Sequence, residues 1–443
     1  MRHGLHRIVV VGGGFGGIYT AIALEKAMRR RRDLTVTLLN QSNFFLYYPL
    51  MPEVLSVGVE PRHVVVPLRT LFSRVEVLEA TVSSVDLTRR ELVAERREIR
   101  EVLPYDQLVL AVGATANLAA FPAIVSVAFP FKTAEDAIIL HNQLVDCLEA
   151  AEFCEEPALR RTLLTFVVVG GGSTGVECLG EMEAFLVGAL AAYPKLSRSD
   201  LRLVLVELLP QILSEVGPDL GAYARERLAR RGVEVRTGVS VRAASPEAVE
   251  LSDGTLIPSH TLVWTIGLAP GPFLKELAVP KTAKGWIQAD ATLQVPGLPG
   301  IWAVGDAAKI PAPDGSVYPP TAQHAVRQAR RLACNILATI DGNPLKSYVY
   351  HPHGTFVSIG GREGVASLNG RPVRGRLAWW LWRAVHFWLL PGRDRKARVL
   401  VDWLFSRTTR KDLVQIGVQR PAAAPTPRIT WLPSETRSTE PRR

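Results

Sequence analysis

The chain has 443 residues, 47% of them apolar and 21% charged. That composition belongs to folded globular domains, and it excludes a disordered or collagen-like chain and a single small binding module. Its formal net charge of +10 is confined to the C-terminal end, where residues 371–443 carry 16 Lys/Arg against 5 Asp/Glu while the first 370 carry 36 against 37.

The chain begins with a β-branched run at 7–11 (RIVVV) that stops at glycines and passes into helical spacing over 18–28, and a second apolar run follows at 34–39 (LTVTLL). This order predicts a βαβ unit. Residues 105–113 (YDQLVLAVG) read as a strand closing on Gly113. The opening unit then recurs, with a strand at 165–169 (TFVVV), glycines, a helix from about 176 to 191 and a strand at 201–206 (LRLVLV). A strand at 261–267 (TLVWTIG) repeats the design of 105–113, and 300–308 (GIWAVGDAA) is a further strand ending in Gly-Asp, followed by a helix over 321–340. The expected fold class is α/β with two Rossmann-like dinucleotide-binding domains, the second inserted in the first. Residues 1–120 and 285–346 form the first, 121–284 the second, 347–420 a C-terminal region, and 421–443 a disordered tail.

The C-terminal region holds Trp379, Trp380, Trp382, Trp388 and Trp403, with Trp431 beyond it, six of the nine tryptophans in the chain. Tryptophan and leucine beside arginine suit the boundary between water and anionic lipid, so this region is expected to dock on a membrane; a dimer interface or a core helix is the other reading. Arg376 and Arg383, a heptad apart, mark a narrow polar stripe on it. The apolar run 377–390 has 14 residues with Arg383 and His386 inside it, too short to cross a bilayer. No export and no nucleic-acid partner are expected, since the aromatic residues sit among leucines. Cys147, Cys154, Cys178 and Cys334 form no CxxC pair and the histidines of 351–353 (HPH) lack further ligands. No metal or disulfide framework is therefore expected, and a reducing compartment fits. The arginines of 29–32 read as a solvated helix end.

Two glycine motifs carry chemistry. Gly12, Gly14 and Gly17 make G-x-G-x-x-G between a strand and a helix, where the first glycine permits the turn, the second admits a pyrophosphate and the third lets helix and sheet pack. Gly170, Gly172 and Gly175 repeat it. After the first motif the second strand ends in Asn40 rather than an acid, while after the second it ends in Glu207, whose carboxylate accepts from a ribose 2′-hydroxyl and repels a 2′-phosphate, favouring NADH over NADPH. Glu177 and Glu181 share a helix face at i, i+4; Glu177 either borders the bound nucleotide or serves only to complement the helix dipole. In a flavin fold, Asp306 after Gly305 suits ribityl hydroxyls.

These motifs, with residues 132–136 (KTAED), 176–182 (VECLGEM), 264–267 (WTIG), Gly305-Asp306 and 320–325 (PTAQHA), make the chain similar to the type II NADH:quinone oxidoreductases, single-chain FAD enzymes of the two-dinucleotide-binding-domain flavoprotein superfamily. The likeness runs from about residue 7 to 411. It implies an FAD held by Gly12, Gly14, Gly17, Asn40, Gly113, Gly305 and Asp306, and an NADH held by Gly170, Gly172, Gly175 and Glu207 with Glu177 beside the nicotinamide. Pro49, Glu53, Ala322, Gln323 and His324 would lie on the quinone side of the flavin. Glu177, Gln323 and Glu53 are the expected catalytic residues, the last two as proton way stations. Three positions depart from the family pattern: Asn40 for a carboxylate, His324 for a small residue, and Arg327-Gln328 for Gln-Gln. The implied activity is hydride transfer from NADH to flavin and then two electrons to a membrane quinone without proton pumping, on the cytoplasmic face of the inner membrane as a peripheral protein, monomeric or homodimeric. The rival readings are a sulfide:quinone or other reductase of the superfamily, the cysteines matching neither that nor a disulfide reductase, and a non-enzymatic NADH-sensing flavoprotein.

Overall fold

The computed structural model describes residues 5–118, 121–351, 354–406, 408–415 and 417. The expected tail 421–443, Trp431, and the second histidine of the 351–353 triplet lie outside them.

The glycine-terminated apolar runs become the strands of two parallel sheets. The first has the order Ile301–Ala303, Gln107–Leu110, His6–Val11, Leu34–Asn40, Glu76–Glu79, each parallel to its neighbour. Val9, Val10, Leu108 and Leu110 are all buried, although successive residues point to opposite faces of the sheet, which is why these strands read as continuous apolar runs without alternation. The helix Phe15–Met28 packs along Ala322–Ile340, so the first and last parts of this unit close on each other across 300 residues of chain. The second sheet has the order Ala128–Pro130, Thr261–Trp264, Thr165–Val169, Arg202–Glu207, Val233–Thr237, again parallel throughout.

The two sheets are joined where the runs at 105–113 and 261–267 leave them. Residues Ala114–Ala116 pair antiparallel with Leu268–Pro270, so the outgoing and returning chain form one ribbon. Neither segment has a strand pattern of its own; they pair because both glycine-ended runs release the chain at the same place. Small antiparallel sheets, Thr81–Asp86 with Glu91–Arg96 and Ile99–Pro104, and Val241–Ala244 with Ala248–Leu251 and Leu256–Pro258, decorate the two halves.

Beyond them, Thr355–Gly360, Glu363–Leu368 and Arg371–Arg374 form an antiparallel sheet followed by helices Gly375–Leu389 and Arg393–Phe405. This sheet lies on the helix Ser173–Ala189, and it gets close because position 180 is glycine: a Cβ there would stand 2.7 Å from the Gly360 nitrogen. Among the described residues no helix is long and apolar enough to cross a membrane. An apolar stripe of Leu377, Trp380 and Trp388 (62%, 51% and 77% exposed) runs down the first C-terminal helix, and Leu400, Leu404 and Phe405 of the second are also exposed. Arg376 and Arg398 are exposed on the same two helices.

Two expectations about charge are corrected. Arg383 does not face water beside Arg376: its guanidinium donates to Glu53 Oε1 at 2.8 Å and stacks between the Trp379 and Trp403 rings, 4.4 and 4.5 Å from their centroids. The arginines after the first helix are not uniformly solvated either, since Arg31 bonds both Asp33 and Asp341 at 2.6 Å and ties that helix to the end of Ala322–Ile340.

Candidate active site

Each glycine motif folds as a strand, a left-handed turn and a helix. Gly12 has φ +110° and Gly170 +114°, and a Cβ on Gly17 or Gly175 would fall 1.7 or 1.8 Å from the carbonyl oxygen of Gly12 or Gly170. Only glycine fits there. Neither of the two helices has an acidic residue in its first turn, so the dipole of each favours an anion at its N-terminus. The first turn is open: nothing lies within 4 Å of where a Cβ of Gly14 would be. Open space beside a helix N-terminus without an acidic residue suits a diphosphate, and the turn therefore fits a dinucleotide such as FAD. At the second turn Glu215 Oε1 already accepts from the Ser173 N–H at 2.7 Å, so a diphosphate seated there displaces an exposed carboxylate.

Asn40 and Glu207 prove to be equivalents. Asn40 Oδ1 accepts from Gly13 N at 2.7 Å while its amide donates to the Ser42 carbonyl at 2.8 Å; Glu207 Oε2 accepts from Gly171 N at 2.5 Å and its other oxygen from Leu209 N at 2.7 Å. Each fastens the middle glycine of its own turn. The first turn needs only an acceptor, which an amide supplies as well as a carboxylate, and this explains how Asn40 can stand where an acid is usual. Gly113, at φ +66° with open space around it, lies between the neighbouring strand Gln107–Leu110 and the ribbon strand Ala114–Ala116.

At the far end of the first sheet the turn Gly305–Ala307 presents Asp306, and Gln328 holds it by accepting from the Gly305 N–H at 2.9 Å. Lys132 Nζ lies 3.8 Å from Asp306 and 5.2 Å from the centroid of the Tyr48 ring, whose hydroxyl donates to the Phe131 carbonyl at 2.9 Å. Burial raises the Asp306 pKa and Lys132 works against that rise. Lys132 and Tyr48 are not among the site residues expected from sequence, although Lys132 lies in the KTAED stretch, and Gln328 is marked there only within the Arg327-Gln328 departure.

Pro49 sits in the single turn Tyr48–Leu50, immediately before the short helix Met51–Leu55 that carries Glu53. Glu53 is buried, with one oxygen on Arg383 and the other on the Trp403 indole N–H. Both oxygens are therefore committed to the C-terminal helices. Next to it Ser56 Oγ donates to Glu181 at 2.5 Å and Lys411 Nζ donates to the Ser56 carbonyl at 3.0 Å. Burial and then the Glu53 charge raise the pKa of Glu181, and burial lowers that of Lys411. Glu177, one turn into the second dinucleotide helix, faces the C-terminal region: its Oε1 accepts from Ser358 N at 3.1 Å and Trp382 Nε1 at 2.8 Å. Burial pushes its pKa up to about 8 against these hydrogen bonds. With Oε1 accepting twice, the proton resides on Oε2.

That shift has a measurable sign. Between the ordinary value of 4.5 and about 8 the folded chain keeps a proton that the unfolded chain has lost, so stability falls as pH rises through this window, by up to about 1.4 kcal/mol per pH unit. Glu177→Gln keeps the acceptor for Ser358 and Trp382 and removes this slope. In urea melts the variant should match the parent near pH 5 and exceed it by a few kcal/mol near pH 8; parallel pH curves would refute the assignment.

Ala322 opens the helix Ala322–Ile340, capped by Thr321, whose hydroxyl accepts from His324 N at 3.3 Å. Gln323 is half-buried and bonded on both sides of its amide, while His324 is buried against Tyr318, Tyr348 and Tyr350. Burial, with Arg327 beside it, lowers the His324 pKa to about 4. Among the described residues no group of His, Cys, Asp or Glu could hold a metal, and all four cysteines are free.

Residues 6–329 match the family described as pyridine nucleotide-disulphide oxidoreductase. The type II NADH:quinone oxidoreductase NdhA of Mycobacterium tuberculosis is 30% identical over 418 residues, covering 90% of this chain and 87% of its own length. The chain belongs to the type II NADH:quinone oxidoreductase family. A second relative, Ndh of the same organism, is 29% identical over 431 residues, 94% of this chain and 91% of that one. The structure of NDH2 from Plasmodium falciparum in complex with NADH shares the fold, with a TM-score of 0.84 at 19% identity, over 92% of this chain and 99% of that one.

Proposed function

We propose that this chain oxidises NADH and passes the two electrons through a bound FAD to a quinone drawn from a membrane, without pumping protons. The observation that carries the reading is the duplicated dinucleotide turn in which only the second copy carries an acid, Glu207, at the end of its second strand. Bound FAD supplies the hydride-accepting and electron-passing chemistry; the chain supplies binding, alignment and electrostatics.

Gly12, Gly14 and Gly17 hold the FAD diphosphate against the helix N-terminus, with Asn40 bracing the turn and Gly113 and Asp306 lining the flavin side. Gly170, Gly172 and Gly175 take the diphosphate of NADH once Glu215 swings into solvent. Glu207 accepts from the adenosine ribose and repels a 2′-phosphate, so NADH is preferred. Glu177 keeps a proton on Oε2 at neutral pH on the helix that begins at the NADH turn. Pro49, Ala322 and Gln323 shape the acceptor side. Glu53 reads as the pin that fastens the Pro49 turn to the C-terminal helices rather than as a proton carrier.

The stripe of Leu377, Trp380 and Trp388, with Leu404 and Phe405, supports peripheral docking on a membrane, where apolar rings enter the interfacial layer and Arg376 and Arg398 reach lipid phosphates. Such a surface is a liability against water.

An anaerobic titration tests the reading. NADH should bleach the yellow protein, a soluble quinone should restore the colour, and NADPH should bleach it at least about tenfold more slowly. Protein that stays colourless after incubation with FAD would overturn it, and long-lived reduced flavin in excess quinone would favour an NADH sensor.

A further inference from the structure

Gln323 is held so that only one of its amide groups is left to offer. The Gly354 carbonyl lies 3.0 Å from the side-chain nitrogen. A carbonyl has no proton to give, so the atom facing it must be the NH2 group and the amide cannot be turned over without placing oxygen against oxygen. Gly354 is itself fixed: its φ is +148°, and a Cβ there would stand 2.7 Å from the Ser367 carbonyl oxygen of the adjoining strand. On the other side Gln323 Oε1 accepts from the Tyr350 hydroxyl at 3.0 Å, with an Arg327 nitrogen 3.5 Å away. One N–H of Nε2 then has no acceptor among the described residues.

Tyr350 is immobilised by what surrounds it. Its backbone N–H donates to the Tyr318 hydroxyl at 3.2 Å, its ring lies 4.1 Å from that of His324, and the Arg327 guanidinium stands 5.1 Å from its centroid. His324 in turn is within 3.0 Å of the Tyr348 hydroxyl through Nδ1, and Tyr318 packs on both, 5.0 Å from His324 and 4.9 Å from Tyr348. His324, the departure from a small residue, is therefore the floor on which the Tyr350 ring rests. Because burial keeps that histidine neutral, the cation at this cluster is Arg327, which polarises the Gln323 carbonyl and strengthens the remaining N–H as a donor.

We infer that Tyr350, seated on His324, is a positioning residue that fixes the Gln323 amide with its free N–H as a hydrogen-bond donor to a carbonyl oxygen of the quinone. The inference rests on the proposed quinone reductase activity. A donor is what the acceptor needs, because negative charge grows on its carbonyl oxygens as electrons arrive.

The test uses the full-length, FAD-loaded protein, reduced anaerobically with NADH and mixed with a soluble short-chain quinone. Tyr350→Phe keeps the ring on His324 and removes only the hydroxyl, so flavin bleaching by NADH should run at the parent rate. Reoxidation at low quinone should slow roughly five- to tenfold, read as a raised KM for quinone with a smaller change in kcat. Reoxidation by ferricyanide, which takes electrons without accepting a hydrogen bond, should not change. Gln323→Glu, which loses the donor outright, should slow quinone reoxidation at least as much, and adding Tyr350→Phe to Gln323→Leu should cost nothing further. Parent-like quinone kinetics in Tyr350→Phe, or losses that multiply in the double variant, would overturn the inference while leaving the proposed function standing. A parent protein bleached by NADH yet never reoxidised by quinone would overturn the proposed function, and this inference with it.

Discussion

Gly17→Ala is expected to purify without flavin colour and to unfold at a lower urea concentration than the parent. The added methyl would sit 1.7 Å from the Gly12 carbonyl oxygen, and Gly12 has no room to retreat, since its own Cα faces the Ala111 carbonyl across a gap where a Cβ would be 2.3 Å away. The turn has to open, at a cost of about 3 kcal/mol or more. Gly14→Ala is the informative comparison. Nothing lies within 4 Å of its added methyl in the protein itself, so the apoprotein should hold its stability to within about 1 kcal/mol, while the methyl intrudes where a diphosphate must come close. Flavin absorbance per protein and urea midpoints separate the two effects. A yellow Gly17→Ala protein with the parent midpoint would show that the turn does not need its third glycine.

Arg383→Met should destabilise the protein by about 3–5 kcal/mol, because among the described residues it leaves the buried Glu53 carboxylate with the Trp403 N–H as its one hydrogen-bond donor. Arg383→Lys should recover part of this: an ammonium keeps the charge but neither the fork nor the flat stacking between Trp379 and Trp403. If the cost is that of an orphaned charge, the double variant Glu53→Gln/Arg383→Met will be more stable than Arg383→Met alone. Urea melts of the four proteins check this. Arg383→Met should also expose the C-terminal helices to protease, since the pair spans from residue 53 to residue 383. A melt indistinguishable from the parent would mean that the pair contributes nothing to holding those helices.

Much of the architecture was readable because it is written locally. Three glycines between a β-branched run and a helical one specify a strand, a turn and a helix without help from the rest of the chain, and their recurrence at 170–175 announced the second sheet. What sequence could not reveal were partnerships across long separations. Arg383 among leucines and tryptophans reads as the polar edge of an amphipathic helix, and nothing near it in sequence tells of a carboxylate 330 residues away that turns it inward. The same holds for Glu177 and Trp382, and for Gln323 and Tyr350. Asn40 departs from the usual acid, and its bond to Gly13, which requires an acceptor of any charge, is a second task that the strand's last residue does not announce.

The short strand Ile301–Ala303 completes a sheet whose neighbouring strand, Gln107–Leu110, leaves the ribosome about 190 residues earlier. During synthesis the opening unit must therefore wait with an unpaired edge, while all five strands of the inserted sheet, which end at Trp264, are already in hand. The nucleotide half can mature on the nascent chain, and the half that retains the resident group is sealed only after it. Translation stopped short of residue 300 would release a competent insert hanging from an open, aggregation-prone host.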